Sequence, residues 1–286
     1  MTILELRSKY HHRICEDIIR IINKGDTKDC PNNADGENTS SRKIAWELVK
    51  LIGCKPNYGN ISRQITDNLF GLITMRFLEE AFALLQHIRP GKWIYSPVAE
   101  ILDCGNYRNL VRIKRIVKNK PELATTLGQD YVVSPDIIIA REPVSDDEIN
   151  RTQKVIETTD AVAQLTPIRK KNVNIPKPIL HASISCKWTL RSDRAQNTRT
   201  EALNLIRNRK GKLPHIVAVT AEPTPIRIAS LALGTGDIDC VYHFALDELK
   251  VGIENIKNED QLDMLNMLIE GRRLRDISDL PFDLAT

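Results

Sequence analysis

The chain has 286 residues, 42% of them hydrophobic and 27% charged, with a formal net charge of +4. That composition excludes a disordered tract, a collagen-like repeat and a chain too small to fold without staples; it suits one elaborated α/β domain with a large core. The slight basic excess is compatible with a polyanionic partner but does not require one.

From residue 4 to 23 apolar residues recur at helical spacing, among them Ile14, Ile18, Ile19 and Ile22, and Gly25 ends the run. Residues 25–40 are rich in Asp, Asn, Ser and Gly and read as a surface loop. Ser40 and Ser41 are placed to cap a helix running through Ile44, Trp46, Leu48, Val49 and Leu51 to Gly53. After a turn-rich break over 54–60, a long helix is predicted from about 64 to 87, stopped by Pro90-Gly91. Residues 106–128 read as two short helices, the second near 122–127.

The period then changes. Tyr131-Val132-Val133 and Ile137-Ile138-Ile139 are strand-like and bracket Ser134-Pro135-Asp136. Residues 142–178 read as a helix plus an extended loop, 181–190 as a strand, 201–209 as a helix and 215–220 as a buried strand. A short helix over 226–233, a strand over 240–244 and two amphipathic helices, about 246–257 and 259–271, complete the pattern. Strands alternating with helices imply an α/β fold, a mixed central sheet flanked by helices. The expected organisation is one domain over 1–286: a helical N-terminal region to about 128, a sheet core over about 129–245, and C-terminal helices over 246–286.

Six cysteines, at 15, 30, 54, 104, 186 and 240, lack C-x-x-C spacing. No apolar run reaches membrane-spanning length and no secretory leader pattern opens the chain, so the thiols are expected to be reduced and the protein cytoplasmic.

Three side chains suggest metal-assisted phosphodiester chemistry. Asp136 precedes an apolar triplet, Lys187 ends the Ser185-Cys186-Lys187 stretch, and Glu201 follows. Carboxylates can hold a divalent ion, and an ammonium beside it can stabilise a pentacovalent phosphate. Each also has an ordinary reading: Pro-Asp marks turns, a Lys on a strand can mark a wet face, and Glu201, opening a helix, complements its dipole. The alternation Ala182, Ile184, Cys186 puts Lys187 and Ser185 on the opposite face of the strand. Arg191, Asp193 and Arg194 follow closely. Arg can grip guanine O6 and N7 with two donors and Asp can accept from cytosine N4, so the cluster suits G·C pairs, or an exposed salt-bridged turn. The basic run Arg207-Asn208-Arg209-Lys210-Gly211-Lys212 suits phosphates or a solvated helix end.

The stretches 180–197, Asn204-Leu205, 207–211, 215–217, 220–225, 232–236, 239–246 and 276–281 give a more specific signal. With the shorter Asn33-Ala34-Asp35-Gly36 and 86–91, they make the chain resemble the NgoMIV-like type II restriction endonucleases. These are nucleases of the PD-(D/E)XK class that cut at CCGG-core sites. The resemblance implies a restriction-endonuclease-like fold, a Mg2+ cofactor, double-stranded DNA as partner, a homodimer or homotetramer, and a companion DNA methyltransferase acting on the same site. It implies no membrane partner. It matches Asp136 to a metal carboxylate, Lys187 to the catalytic lysine, Cys186 to a carbonyl ligand and Glu201 to an acid supplied from a helix. Ser185 stands where other members of the class have that acid. Arg191, Asp193 and Arg194 match readers of the CCGG core, Asp35 and Arg227 readers of the outer pair, and Gln64 a minor-groove contact. Together these imply GCCGGC, cut to leave 5′-phosphates and 5′ overhangs. One position departs: after Asn68-Leu69-Phe70 the family places a Glu, and here stands Gly71.

Overall fold

The computed structural model describes residues 1–24, 27–97, 101, 104–111, 135–170, 177–234 and 236–286. The helix expected near 122–127, the strand at 131–133 and the stop at Gly25 lie outside the described residues. A six-stranded mixed sheet, β3-β4-β5-β6-β7-β8, organises the fold. Its strands are β3 (Trp93–Ser96), β4 (Ile137–Arg141), β5 (Ile179–Lys187), β6 (His215–Thr220), β7 (Cys240–His243) and β8 (Leu274–Asp276). β3, β4 and β5 pair antiparallel; β5 to β8 pair parallel. Parallel strands need covered faces, and helices supply the cover. The mixed sheet flanked by helices is the arrangement expected from the sequence.

Among the described residues the α-helices are α1 (Ile3–Asp17), α2 (Thr39–Leu51), α3 (Arg63–Ala83), α4 (Asp146–Ile149), α5 (Ser192–Asn208), α6 (Pro225–Ala232), α7 (Leu246–Asn255), α8 (Glu259–Glu270) and α9 (Leu280–Leu284). α3 packs on α1, on β5 and on α9. It starts where the Ser62 hydroxyl accepts the Ile65 N–H, and it buries Phe70, Gly71, Thr74, Phe77, Leu78, Ala81 and Phe82. The central strands contribute Ile137, Ile139, Ala182, Ile184, Cys186, Ala218 and Val219, all fully buried. Each large aliphatic side chain so placed stabilises the fold by about 1.5–3 kcal/mol. Residues from Leu6 to Ala285 share this one hydrophobic core.

Several sequence expectations change. The first helix stops at Asp17, and Ile21–Lys24 (β1) pairs antiparallel with Thr27–Pro31 (β2) inside what read as helix and loop. The N-terminal third is therefore not purely helical. Asn38, not Ser40 or Ser41, caps α2 by accepting the Ser41 N–H at 2.9 Å. α5 begins nine residues before the expected 201, so Glu201 sits in mid-helix and cannot serve its N-terminal dipole. The thiol expectation also fails: Cys15 and Cys54 form a disulfide, Cα atoms 5.1 Å apart, while Cys30, Cys104, Cys186 and Cys240 are buried thiols outside it. The end of α1 and the turn after α2 meet in the core, a proximity that spacing along the chain does not encode. Closing a loop of this length stabilises by about 3–4 kcal/mol in the chain-entropy account.

One irregularity matters below. β4 and β5 pair residue for residue from Ile137↔Ile184 to Ile139↔Ala182, then Ala140 faces Leu180. His181 is the extra residue, and its ring Nε2 bonds the Leu284 carbonyl of α9 at 2.8 Å.

Candidate active site and the cleft beside it

The antiparallel register sets the front of β4 against the end of β5. Asp136, one residue before β4, therefore lies beside Ser185 and its successors. Its Oδ2 accepts the Cys186 N–H at 2.7 Å and the Lys187 ammonium at 2.9 Å, with the Ser185 hydroxyl at 3.5 Å. Burial pushes the Lys187 pKa down, but the Asp136 carboxylate outweighs it and the net shift is upward. The amine thus stays an ammonium at neutral pH. The Cys186 thiol faces the core, and burial drives its pKa far up. Only its backbone is available for chemistry.

α5 closes the site from above. Thr198 Oγ1 lies 3.5 Å from Ser185 Oγ, and Glu201, three residues on, shares that face. Burial raises the Glu201 pKa; the Lys187 charge pulls it back and the Asp136 charge adds to the rise. Two carboxyl groups that repel each other beside one ammonium form a donor set suited to a divalent cation. Among the described residues, no group of three or more His, Cys, Asp and Glu side chains is arranged for a metal. An ion here would rest on two carboxylates and a backbone carbonyl. Gly71 of α3 faces the same spot: a Cβ added there would stand 3.9 Å from the Asp136 Cβ.

Beside the site opens a cleft of about 1260 Å³. Asp35, Arg63, Trp188, Arg191, Asp193 and Arg227 are among the residues that line it. Arg191 is the N-cap residue of α5, and Asp193 and Arg194 occupy the first turn. The reading cluster and Glu201 thus share one helix. Asp35 and Arg227, remote in sequence, form an ion pair. Arg194 turns away to Asp67 of α3, with Nη2 2.8 Å from Oδ2. Gln64 is exposed at the second position of α3 and does not line the cleft.

Sequence reasoning missed three residues. Asp67 lies four residues before Gly71 on α3, a spacing that could have flagged a shared face. Arg63 opens α3, and its pKa is lowered by burial and by Arg194 and Arg191. Glu222 is fully buried beyond the end of β6, a place no motif announces.

The family profile described as NgoMIV restriction enzyme matches residues 10–286. The chain belongs to that family. Among curated relatives, the type II restriction enzyme NgoMIV of Neisseria gonorrhoeae is 46% identical over 285 residues, covering 98% of this chain and 97% of the relative. A solved structure described as a complex of restriction endonuclease PspGI with substrate DNA matches over 99% of this chain and 92% of that one. It is 12% identical with a TM-score of 0.25, a likeness that carries no argument. Membership of the NgoMIV restriction enzyme family makes this chain a site-specific restriction endonuclease. No helix among the described residues is long and apolar enough to cross a membrane.

Proposed function

We propose that the chain is a Mg2+-dependent type II endonuclease that cuts double-stranded DNA at a palindromic CCGG-core site, GCCGGC, leaving 5′-phosphates and 5′ overhangs. The observation that carries this reading is the Asp136 carboxylate, bonded to Lys187 Nζ at 2.9 Å with Glu201 on the facing helix. Asp136, Glu201 and the Cys186 carbonyl would hold the ion. Bound there, Mg2+ would act as a Lewis acid on the scissile phosphate and acidify a water. Lys187, kept charged by Asp136, would orient the attacking water and stabilise negative charge on the phosphate. Ser185 would hold the Asp136 carboxylate in place.

Arg191, Asp193 and Arg194 would read the CCGG core and Asp35 with Arg227 the outer pair; Gln64 would touch the minor groove from the start of α3. Arg227 lines the cleft in its ion pair with Asp35, whereas Arg194 would have to leave Asp67 to reach a base. A palindromic target calls for a twofold homodimer, each subunit reading one half-site, or a homotetramer of two such dimers. Each subunit would be one domain in a bacterial cytoplasm, partnered in function by a methyltransferase that protects the same site.

The test is direct. Pure protein with Mg2+ should cut plasmids containing GCCGGC into discrete fragments and spare plasmids without it. Lys187→Ala should abolish cutting and leave binding largely intact; undiminished cutting would reject the assigned role. Gly71 favours a second reading, a weakened nuclease that binds the site but cuts poorly. Gel shift without cleavage under Mg2+ would select it, and cutting indifferent to sequence would point to a structure-selective repair nuclease.

A further inference from the structure

A buried carboxylate stands between the segment that leads into α5 and the one that leads into α6. Glu222 lies two residues past β6, is 0% exposed and has no part in the chemistry above. Its Oε2 accepts the Leu190 N–H at 2.9 Å. Its Oε1 accepts the Thr224 N–H at 3.3 Å and the Thr224 hydroxyl at 2.5 Å. Leu190 immediately precedes Arg191, and Thr224 is the N-cap residue of α6, whose first turn contains Arg227. The same segment reaches the catalytic strand. The Glu222 N–H donates to Thr220 Oγ1 at 3.2 Å, and the Thr220 hydroxyl donates to the Lys187 carbonyl at 2.8 Å.

Burying a carboxylate is costly unless several donors satisfy it. Here the donors come from two segments, Leu190 just before α5 and Thr224 at the start of α6. Neither segment can move against the other without stripping a buried N–H of its acceptor. Arg grips guanine through two donors in one plane, so a small displacement of the loop that bears it forfeits the pair. Phosphate contacts tolerate such displacement, because a salt-screened charge has no comparable geometric demand.

We propose that Glu222 is a positioning residue for sequence readout. It fixes the spacing between Arg191 and Arg227 and ties both to Lys187, so that inner and outer base pairs are read in one register with the cleavage site. This rests on the reading of the cleft given under the proposed function.

The test uses the full-length protein in Ca2+ and three labelled duplexes: one with GCCGGC, one with the outer pair exchanged, and one with the core exchanged. E222Q keeps the side-chain size but turns one acceptor into a donor facing a donor; E222A removes both acceptors. Binding by fluorescence anisotropy should show E222Q losing at least about tenfold of the parent's discrimination at both positions. Affinity for a duplex lacking the site should stay nearly constant, since phosphate contacts dominate it. Discrimination equal to the parent's in E222Q overturns the proposal, even where its melting temperature falls, because a purely structural strut lowers stability alone. Should E222A fail to fold, E222Q still decides. A parent that treats the three duplexes alike overturns the cleft's assignment and this proposal together. A discriminating parent with equally discriminating variants overturns this proposal alone.

Discussion

Gly71 offers a test that needs no DNA. It lies on the buried face of α3, and an added Cβ would meet the Asp136 Cβ at 3.9 Å, an ordinary contact. Gly71→Ala should therefore fit without strain. It removes a mid-helix glycine penalty of about 1 kcal/mol, which for a chain of this size raises Tm by about 2 °C. Gly71→Glu should do the opposite. Its carboxylate would stand about 5 Å from that of Asp136, a repulsion of about 3 kcal/mol at an effective dielectric near 20. Millimolar Ca2+ should reverse the loss, since the ion offsets the crowded negative charge. Thermal unfolding of parent and both variants, each with and without Ca2+, reads all of this. If Gly71→Ala destabilises the protein, or Gly71→Glu responds to Ca2+ no more than the parent does, position 71 does not face the metal site as argued.

Arg7 bridges Glu248 and Asp276, with contacts of 2.6 to 2.9 Å and little exposure; Arg7→Met should cost about 3–5 kcal/mol in urea unfolding by leaving two carboxylates unpaired. Burial lowers the pKa of His181 and of His243 to about 4. A folded pKa below the unfolded value near 6.5 means this stability is complete above pH 6.5 and drains as pH falls towards 4. By pH 5 each should have cost about 2 kcal/mol, and His181→Gln should flatten the stability–pH curve by about one proton's slope. Arg63→Ala should weaken DNA binding about equally for all sequences and shrink the salt slope by about one, measured by anisotropy over a salt series.

The middle of the sheet, β4 to β7, was readable because its strands obey simple rules, whereas β3 (Trp93–Ser96) was not read as a strand. β6 is a short β-branched run, β7 a short buried run of Cys, Val, Tyr and His, and β5 alternates. The alternation put Lys187 and Ser185 on the face opposite Cys186; that Asp136 meets Lys187 there was implied by the resemblance and not by the spacing, and the two side chains bond at 2.9 Å. What escaped the sequence was structure imposed by tertiary contact. β1 and β2 carry Lys24, Thr27, Lys28 and Asp29, too polar for a strand signal, yet they pair as a hairpin. β8 has only Leu274, Arg275 and Asp276, and is a strand because β7 offers it an edge. α5 was expected too late because Ser192, Asp193 and Arg194 give no apolar stripe; Ala195 and Thr198 form its buried side. Among the site residues, the clustering of Asp35 with Arg227 could not be read from spacing, because 192 residues separate them. Gln64 was placed by resemblance alone and stands outside the cleft lining.

The extra residue at His181 has a consequence for how this enzyme can vary. Between Arg141 and Ile179 runs the long connection that links β4 to β5; its part from 145 to 167 is closed off by the pairing of Val144 with Arg169 and the Arg169–Asp146 ion pair, and beyond that clasp the first irregularity in the ladder is the bulge between Ala140 and Leu180. A bulge absorbs a change in the connection's length by bending locally, and loop closure penalises added length only weakly. Ile137, Ile138 and Ile139 pair residue for residue with Ile184, Ser183 and Ala182, and this regular stretch separates Asp136 and Lys187 from the bulge. Insertions and grafts in that connection should be tolerated by catalysis, which makes it the natural site for engineering this protein without retuning its chemistry.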